Sequence, residues 1–391
     1  MSVSPPVITS TQTENPLLDL AKLGQSVWLD YIRRSLITSG ELKRLIEQDG
    51  LAGMTSNPAI FEKAITGSTD YSDALQELQK RTDLDAMGIY EILAIKDIQD
   101  AADALSPVYD RTKKRDGYVS LEVSPFLATD TEGTIRDARR LWKAVNRPNV
   151  MIKVPGTVEG IPAIQQLISD GININVTLLF AQERYEKVAH AYIAGLKTYV
   201  AGGGDPSHVA SVASFFISRI DTMVDAIVKA RLKSSSDPNQ QAQLRGLLGK
   251  VAIANGKLTY QRYQEIFSGA GWDALAKNGA QTQRVLWAST STKDPSYPDT
   301  LYIDELIGPD TVNTIPPATL DAFRDHGHAK PSLEADVDAA REVMDTLERS
   351  GISMQNVTDD LLTQAVKLFA EPFEKLLSAV KPSANMHPGR K

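Results

Sequence analysis

The chain has 391 residues, of which 42% are hydrophobic and 23% charged, with a formal net charge of −7 and no cysteine. Such a length suits roughly two to three average domains, or one large α/β barrel with additions. The apolar fraction is that of a globular protein. The negative charge argues against a nucleic-acid binder, and the lack of cysteine excludes disulfides and thiolate metal sites.

No apolar run is long enough to span a bilayer, so no membrane partner is expected. Residues Met1–Leu20 contain no Lys or Arg. They lack both the basic start of a secretory signal and the Arg-rich character of a transit peptide, and a cytoplasmic location is expected. Residues 1–15 are rich in Ser, Thr and Pro and read as a flexible N-terminal arm.

Leu17–Gly24 is expected as a short helix and Gln25–Ile32 as a strand. Thr38 or Ser39 is a candidate cap for a helix over Gly40–Asp49. Leu51–Asn57 reads as a second strand, stopped by Pro58, and Ala59–Thr112 carries helical spacing. Tyr118–Val123 is a third strand and Thr131–Asn146 a helix. Asn149–Val154 is a fourth strand, followed by a helix over Gly160–Asp170. Then come a strand at Ile172–Leu179, a helix at Gln182–Ala201, a strand at Val209–Phe216 and a helix at Asp221–Lys233. Gln240–Phe267 is helical and holds more than one segment. Gln283–Ala288 and Thr311–Ile315 are the last strands, Ala318–His326 is a helix, and Pro331–Val380 is wholly helical.

Eight strands separated by helical stretches predict a parallel sheet with helices outside it, closed as a (β/α)8 TIM barrel. Residues 16–330 are expected to form this catalytic domain, with a helical insertion near 240–267. Residues 331–391 form a C-terminal helical extension packed on the barrel, its last stretch, Lys381–Lys391, frayed. The apolar stripes of the extension require docking on the barrel mouth, on its wall or in a dimer. The chain is expected as a monomer or homodimer. No Gly-x-Gly-x-x-Gly turn follows a strand, since Gly202–Gly204 comes after a helix.

Alternation decides which side chains enter the barrel lumen, and barrel enzymes place their sites at the carboxyl ends of the strands. Asp30 shares a face with Trp28, and Glu122 with Ser120. Asn173, Asn175 and Thr177 form one inward set, and Val212, Ser214 and Phe216 another. Ionisable or hydrogen-bonding groups thus collect at one rim, where Val, Ile and Leu would ordinarily fill the core. Lys153 lies in the apolar stretch Val150–Thr157, a strand ended by Pro155-Gly156. Desolvating an ammonium costs free energy, and the neutral amine so favoured is the nucleophile of Schiff-base chemistry. A strand-end lysine that reaches water or pairs with a carboxylate is the structural alternative. Arg219 follows the sixth strand, where a helix N-terminus would suit a phosphate, and a surface ion pair is its alternative.

The rim contains no histidine. The pair His326 and His328 lacks a surrounding carboxylate cluster and reads as a loop or capping element. No metal and no cofactor are expected.

Trp28-Leu29-Asp30, Gly53-Met-Thr-Ser-Asn-Pro58, Val119-Ser-Leu-Glu-Val-Ser124, Met151-Ile-Lys-Val-Pro-Gly-Thr157 and Asn175-Val-Thr-Leu-Leu-Phe180 resemble transaldolase motifs. Ser214-Phe-Phe-Ile-Ser-Arg219, Leu286-Trp-Ala-Ser-Thr290 and Val312-Asn-Thr-Ile-Pro-Pro317 continue the resemblance in order. The extra helices resemble the long bacterial and plant-type branch. Ser218 and the Phe215-Phe216 pair depart from the shorter branch, which leaves the shape of the phosphate pocket open.

The resemblance implies transfer of a dihydroxyacetone unit in the non-oxidative pentose phosphate pathway. The donor would be sedoheptulose 7-phosphate or fructose 6-phosphate, and the acceptor glyceraldehyde 3-phosphate or erythrose 4-phosphate. It implies Lys153 as the Schiff-base lysine, Glu122 acting with Thr177 through a water, and Asp30 as the base at the C4 hydroxyl. Asn57 and Asn175 would hold donor hydroxyls, Ser214 and Arg219 the phosphate, with Phe216 near the lysine. A Schiff-base fructose 6-phosphate aldolase is the alternative, and a sugar-phosphate-binding scaffold the non-enzymatic one.

Overall fold

The structure, a computed structural model, describes residues 15–382. The expected N-terminal arm (apart from Asn15) and nearly all of the expected frayed end lie outside the described residues. Eight parallel strands close into a barrel in chain order. They are β1 (Gln25–Asp30), β2 (Gly53–Thr55), β3 (Tyr118–Glu122), β4 (Val150–Pro155), β5 (Ile174–Leu179), β6 (Ser211–Phe216), β7 (Arg284–Ala288) and β8 (Thr311–Ile315). Each expected strand is present, with ends shifted by a few residues. β5 starts at Ile174 because the Asn173 side chain binds the carbonyls of Pro148 and Val150 and accepts from the Ala210 N–H. β1 tolerates a tryptophan in the lumen because it faces a glycine across the sheet. Trp28 pairs with Gly53, and a Cβ there would come within 2.5 Å of the indole.

The helices follow their local signals. Asn57 caps Pro58–Thr66, Asp85 caps Ala86–Arg111, Asp130 caps Thr131–Val145, and Ser353 caps Met354–Ala379. In each, a side-chain oxygen takes a free N–H of the first turn. Ser39 accepts from the Glu41 N–H at 3.3 Å ahead of the helix Glu41–Gln48. The stretch expected as helical over 59–112 divides into Pro58–Thr66, Ser72–Gln79 and Ala86–Arg111. The stretch at 240–267 divides into Pro238–Arg245 and Val251–Ile266, and a further helix, Ala270–Lys277, was not foreseen. The helix after β6 starts at Ser218 rather than Asp221, which puts Arg219 in its first turn.

The stretch between β7 and β8 holds only one short helix, Leu301–Asp304, and otherwise loops over the carboxyl end. The two C-terminal helices behave differently from each other. Val337–Arg349 packs beside Val251–Ile266. Met354–Ala379 buries Val357, Leu361, Ala365, Phe369, Phe373 and Leu376, a stripe at near-helical spacing. That stripe meets Pro58–Thr66, the turn Pro125–Leu127, β5 and the helix Ser218–Ser234. No helix among the described residues is long and apolar enough to cross a membrane.

Candidate active site

Register brings three inward polar residues into one row. Glu122 of β3 pairs with Lys153 of β4, which pairs with Asn175 of β5. Thr177 lies two residues further along β5, opposite Pro155. Leu178 follows with φ of 63°, where the β5–β6 register shifts. A branched side chain in left-handed backbone carries strain, and such strain is often stored beside a site.

Lys153 is 4% exposed. Its Nζ donates to the Ser56 carbonyl at 3.2 Å and stands 3.7 Å from Glu122 Oε2. It does not reach bulk water, so the snorkelling alternative fails, and its carboxylate neighbour is a candidate site residue itself. Glu122 Oε2 and Thr177 Oγ1 are buried without a hydrogen-bond partner among the described residues. Burial pushes the Glu122 carboxyl up to about 7, against the opposing pull of Lys153. A carboxyl that titrates near neutrality can both give and take a proton there.

Asp30 ends β1 at the same rim. Thr55 Oγ1 donates to Asp30 Oδ1 at 2.8 Å and contacts Thr314 Oγ1 at 2.7 Å. Since the Thr55 proton goes to Asp30, Thr314 must donate to Thr55. Burial raises the Asp30 carboxyl above the ordinary range, while Lys153, Thr55 and Lys293 pull the other way.

Asn175 is fully buried and fixed on both sides. Its Nδ2 donates to Ser120 Oγ at 3.0 Å, and its Oδ1 accepts from Ser214 Oγ at 2.7 Å. The Ser214 proton is thereby committed to Asn175, which leaves this hydroxyl as an acceptor only. Asn57 uses its Oδ1 to cap its helix at Ile60 N–H. Its Nδ2 is left for the cavity that it lines.

The cavity holds about 120 Å³ and is lined by Asp30, Asn57, Lys153, Ser214, Phe216 and Arg219 of the expected set. Glu122, Asn175 and Thr177 stand behind that lining. The Arg219 guanidinium lies 5.8 Å from the Phe216 ring centroid. No carboxylate pairs with it among the described residues, so a surface ion pair does not account for it. Burial lowers its proton affinity, which marks a partly desolvated cation suited to an anion.

Further lining residues escaped the sequence reading: Thr55, Ser289, Ser291, Lys293, Thr314 and Phe369 among them. Lys293 donates to Ser291 Oγ at 2.6 Å, which leaves the serine proton free. Arg219 depresses the Lys293 ammonium after burial does, so two cations share this side of the cavity. Ser289 has φ of 57° and shares a 2.8 Å contact with Ser218 Oγ. The run of five polar residues Ser289–Lys293 directly after a strand is the available sequence signal. Phe369 comes from a helix outside the repeat and gave none.

His326 is exposed, with Asp299 and Asp325 at 2.9 and 3.1 Å from its ring nitrogens. The described residues hold no group of three or more His, Asp or Glu placed to bind a metal.

A closed eight-stranded barrel with a polar cavity at the carboxyl ends of its strands has the architecture of a barrel enzyme. The family model described as transaldolase/fructose-6-phosphate aldolase matches residues 27–380. A transaldolase of Trichodesmium erythraeum (strain IMS101) is 48% identical over 94% of this chain and 97% of its own length. Transaldolase 2 of Nostoc sp. (strain PCC 7120) is 48% identical over the same shares. The transaldolase of Thermobifida fusca (strain YX) is 46% identical over 95% and 99%. The chain belongs to the transaldolase/fructose-6-phosphate aldolase family.

Proposed function

We propose that the protein is a transaldolase that moves a dihydroxyacetone unit between sugar phosphates through a Schiff base on Lys153. One observation carries the residue assignment. The buried amine of Lys153 stands 3.7 Å from Glu122 Oε2, and that oxygen has no hydrogen-bond partner among the described residues.

The Lys153 amine adds to the C2 carbonyl of a ketose phosphate and forms a carbinolamine. Glu122, protonated up to about pH 7, supplies the proton with which hydroxide leaves as water. A water held between Glu122 and Thr177 is the relay in this step. Asp30 then takes the C4 hydroxyl proton, and the C3–C4 electron pair moves toward the iminium. An aldose phosphate leaves and the dihydroxyacetone enamine remains on Lys153. Attack of its C3 on a second aldose phosphate, with Asp30 returning the proton, reverses the sequence. Asn57 Nδ2 and Asn175 hold donor hydroxyls. The phosphate is held by Arg219, joined here by Lys293 and the Ser291 hydroxyl, while Ser214 orients Asn175. Phe216 forms an apolar wall beside the phosphate.

The reading assigns residues 16–330 to catalysis, with the helical insertion near 240–267, and 331–391 to an extension on the barrel. It extends to a cytoplasmic enzyme working as monomer or homodimer, since ionised sugar phosphates do not cross membranes unaided. The test separates transfer from aldol cleavage. With fructose 6-phosphate, glyceraldehyde 3-phosphate should form steadily only when erythrose 4-phosphate is present. Equal rates with and without the acceptor would make the protein an aldolase.

A further inference from the structure

The helix Met354–Ala379 lies outside the eight β/α units, yet it touches segments that follow or end four strands. These are the helix Pro58–Thr66 after β2, the turn Pro125–Leu127 after β3, β5 itself, and the helix Ser218–Ser234 after β6. Such a helix crosses the mouth of the barrel. Two of its aromatics point down from the buried stripe. Phe373 packs edge-on against Tyr90, with centroids 5.2 Å apart, and sits 5.6 Å from Phe126. Phe369, one turn earlier, is 6% exposed and lines the cavity with Asp30, Lys153 and Arg219. Its ring centroid is 5.9 Å from Lys153 Nζ. Between them stands Pro372, which has no N–H for the Leu368 carbonyl and loosens the helix at the turn that carries both rings. The cavity below is about 120 Å³, smaller than the ~300–1,000 Å³ usual for ligand pockets. The helix thus roofs a small cavity that contains the Lys153 amine.

Packing of the helix alone would not need apolar bulk aimed into the cavity. What distinguishes Phe369 is that its ring faces the amine rather than the barrel wall. A ring within about 6 Å of a cation attracts it, and a closed roof excludes water from a reactive intermediate.

We propose that Phe369 is an active-site residue that decides the fate of the enamine: the closed ring keeps water from Lys153, so the three-carbon unit waits for an acceptor aldehyde. This rests on the Schiff-base reading above. In the productive route, C3 of the enamine forms a bond to the acceptor carbonyl carbon, and the alkoxide takes a proton from Asp30. In the wasteful route, C3 takes a proton from water and hydroxide adds to the resulting iminium carbon. The C–N bond then breaks and free dihydroxyacetone leaves the restored amine. Both routes draw on one intermediate, so their ratio reports the roof and not the overall rate.

The test measures free dihydroxyacetone per glyceraldehyde 3-phosphate formed, with fructose 6-phosphate as donor and erythrose 4-phosphate as acceptor. Phe369→Ala should raise that ratio on the order of tenfold, as expected when a water-excluding group is removed. Phe369→Leu, which keeps apolar bulk, should stay within about twofold of the parent protein. Borohydride trapping on each variant provides the control. A Phe369→Ala protein that forms the Lys153 adduct but keeps the parent ratio overturns the proposal, as does a Phe369→Leu protein with the same large rise. Absence of the adduct in the parent protein would instead overturn the Schiff-base reading itself. Should Phe369→Ala fail to fold, Phe369→Val serves in its place, with an intermediate rise expected and an unchanged ratio overturning the proposal.

Discussion

The two ends of the barrel both carry charged side chains inside, and they are built to opposite ends. At the amino end, Asp116 accepts from Ser26 Oγ at 2.7 Å, from Trp28 Nε1 at 3.0 Å and from Arg284 at 2.9 Å. Arg284 also donates to Ser26 Oγ and to the Arg115 carbonyl. Each charge there has an opposite charge and dipoles around it, which is how a buried ion pair becomes tolerable. The nearby Gln25 and Gln283 leave an amide oxygen each without a partner, but these are neutral. At the carboxyl end, Glu122 Oε2 has no hydrogen-bond partner among the described residues and only the Lys153 amine at 3.7 Å, Asp30 and Glu122 are both raised by burial, and no carboxylate among the described residues pairs with the Arg219 that faces the cavity. An inward charge is therefore no mark of function by itself. An inward charge that the fold leaves unanswered is one.

Substitutions at the two ends should separate accordingly. Lys153→Met should lower transfer by at least ~10⁴-fold, since the amine that carries the covalent intermediate is removed, while the thermal melt still shows a single folded protein. Arg284→Met at the opposite end should cost about 3–5 kcal/mol in denaturant unfolding, because Asp116 is left buried and unpaired. Its KM for fructose 6-phosphate should not move. A loss of stability at Lys153 matching that at Arg284, or a change in KM at Arg284, would break the contrast.

Glu122→Gln should lower kcat by roughly 10²–10³-fold, within the usual contribution of a positioned acid. The sign of the pH effect follows from the direction of the shift. The Glu122 carboxyl lies at about 7, above its ordinary value, so the proton it delivers during dehydration is present below pH 7 and lost above it. The kcat/KM of the parent protein should therefore bend downward as pH rises through about 7, and the Gln variant should lack that bend. The smallest effect belongs to Arg219→Ala. It should raise KM for fructose 6-phosphate about tenfold, the loss of one charge-assisted contact, and leave kcat within about twofold of the parent protein.

The strand count and the inward parity were legible because a strand has a period of two and a barrel has one inside. That is how Asp30, Glu122, Lys153 and Asn175 could be set on one rim without a structure. The bonds among them were not legible. Ser214, expected at the phosphate, also bonds to Asn175 Oδ1, a pairing that depends on the β5–β6 register. Lys293 and Ser291 lie on a loop with no period at all, and only the barrel's closure brings them beside Arg219. Phe369 lies still further from any local signal. Its helix announces an apolar stripe but not the surface that receives it. The sequence leaves the mouth, the wall and a dimer open as destinations, and the contacts of the helix place the stripe across the mouth.

The covalent step can be observed directly. The protein is incubated with fructose 6-phosphate, reduced with borohydride, digested and mapped by mass. A reduced sugar-derived adduct on the peptide containing Lys153, absent from Lys153→Met, is the predicted result. Turnover without any adduct on Lys153, or an adduct on another lysine, would contradict it.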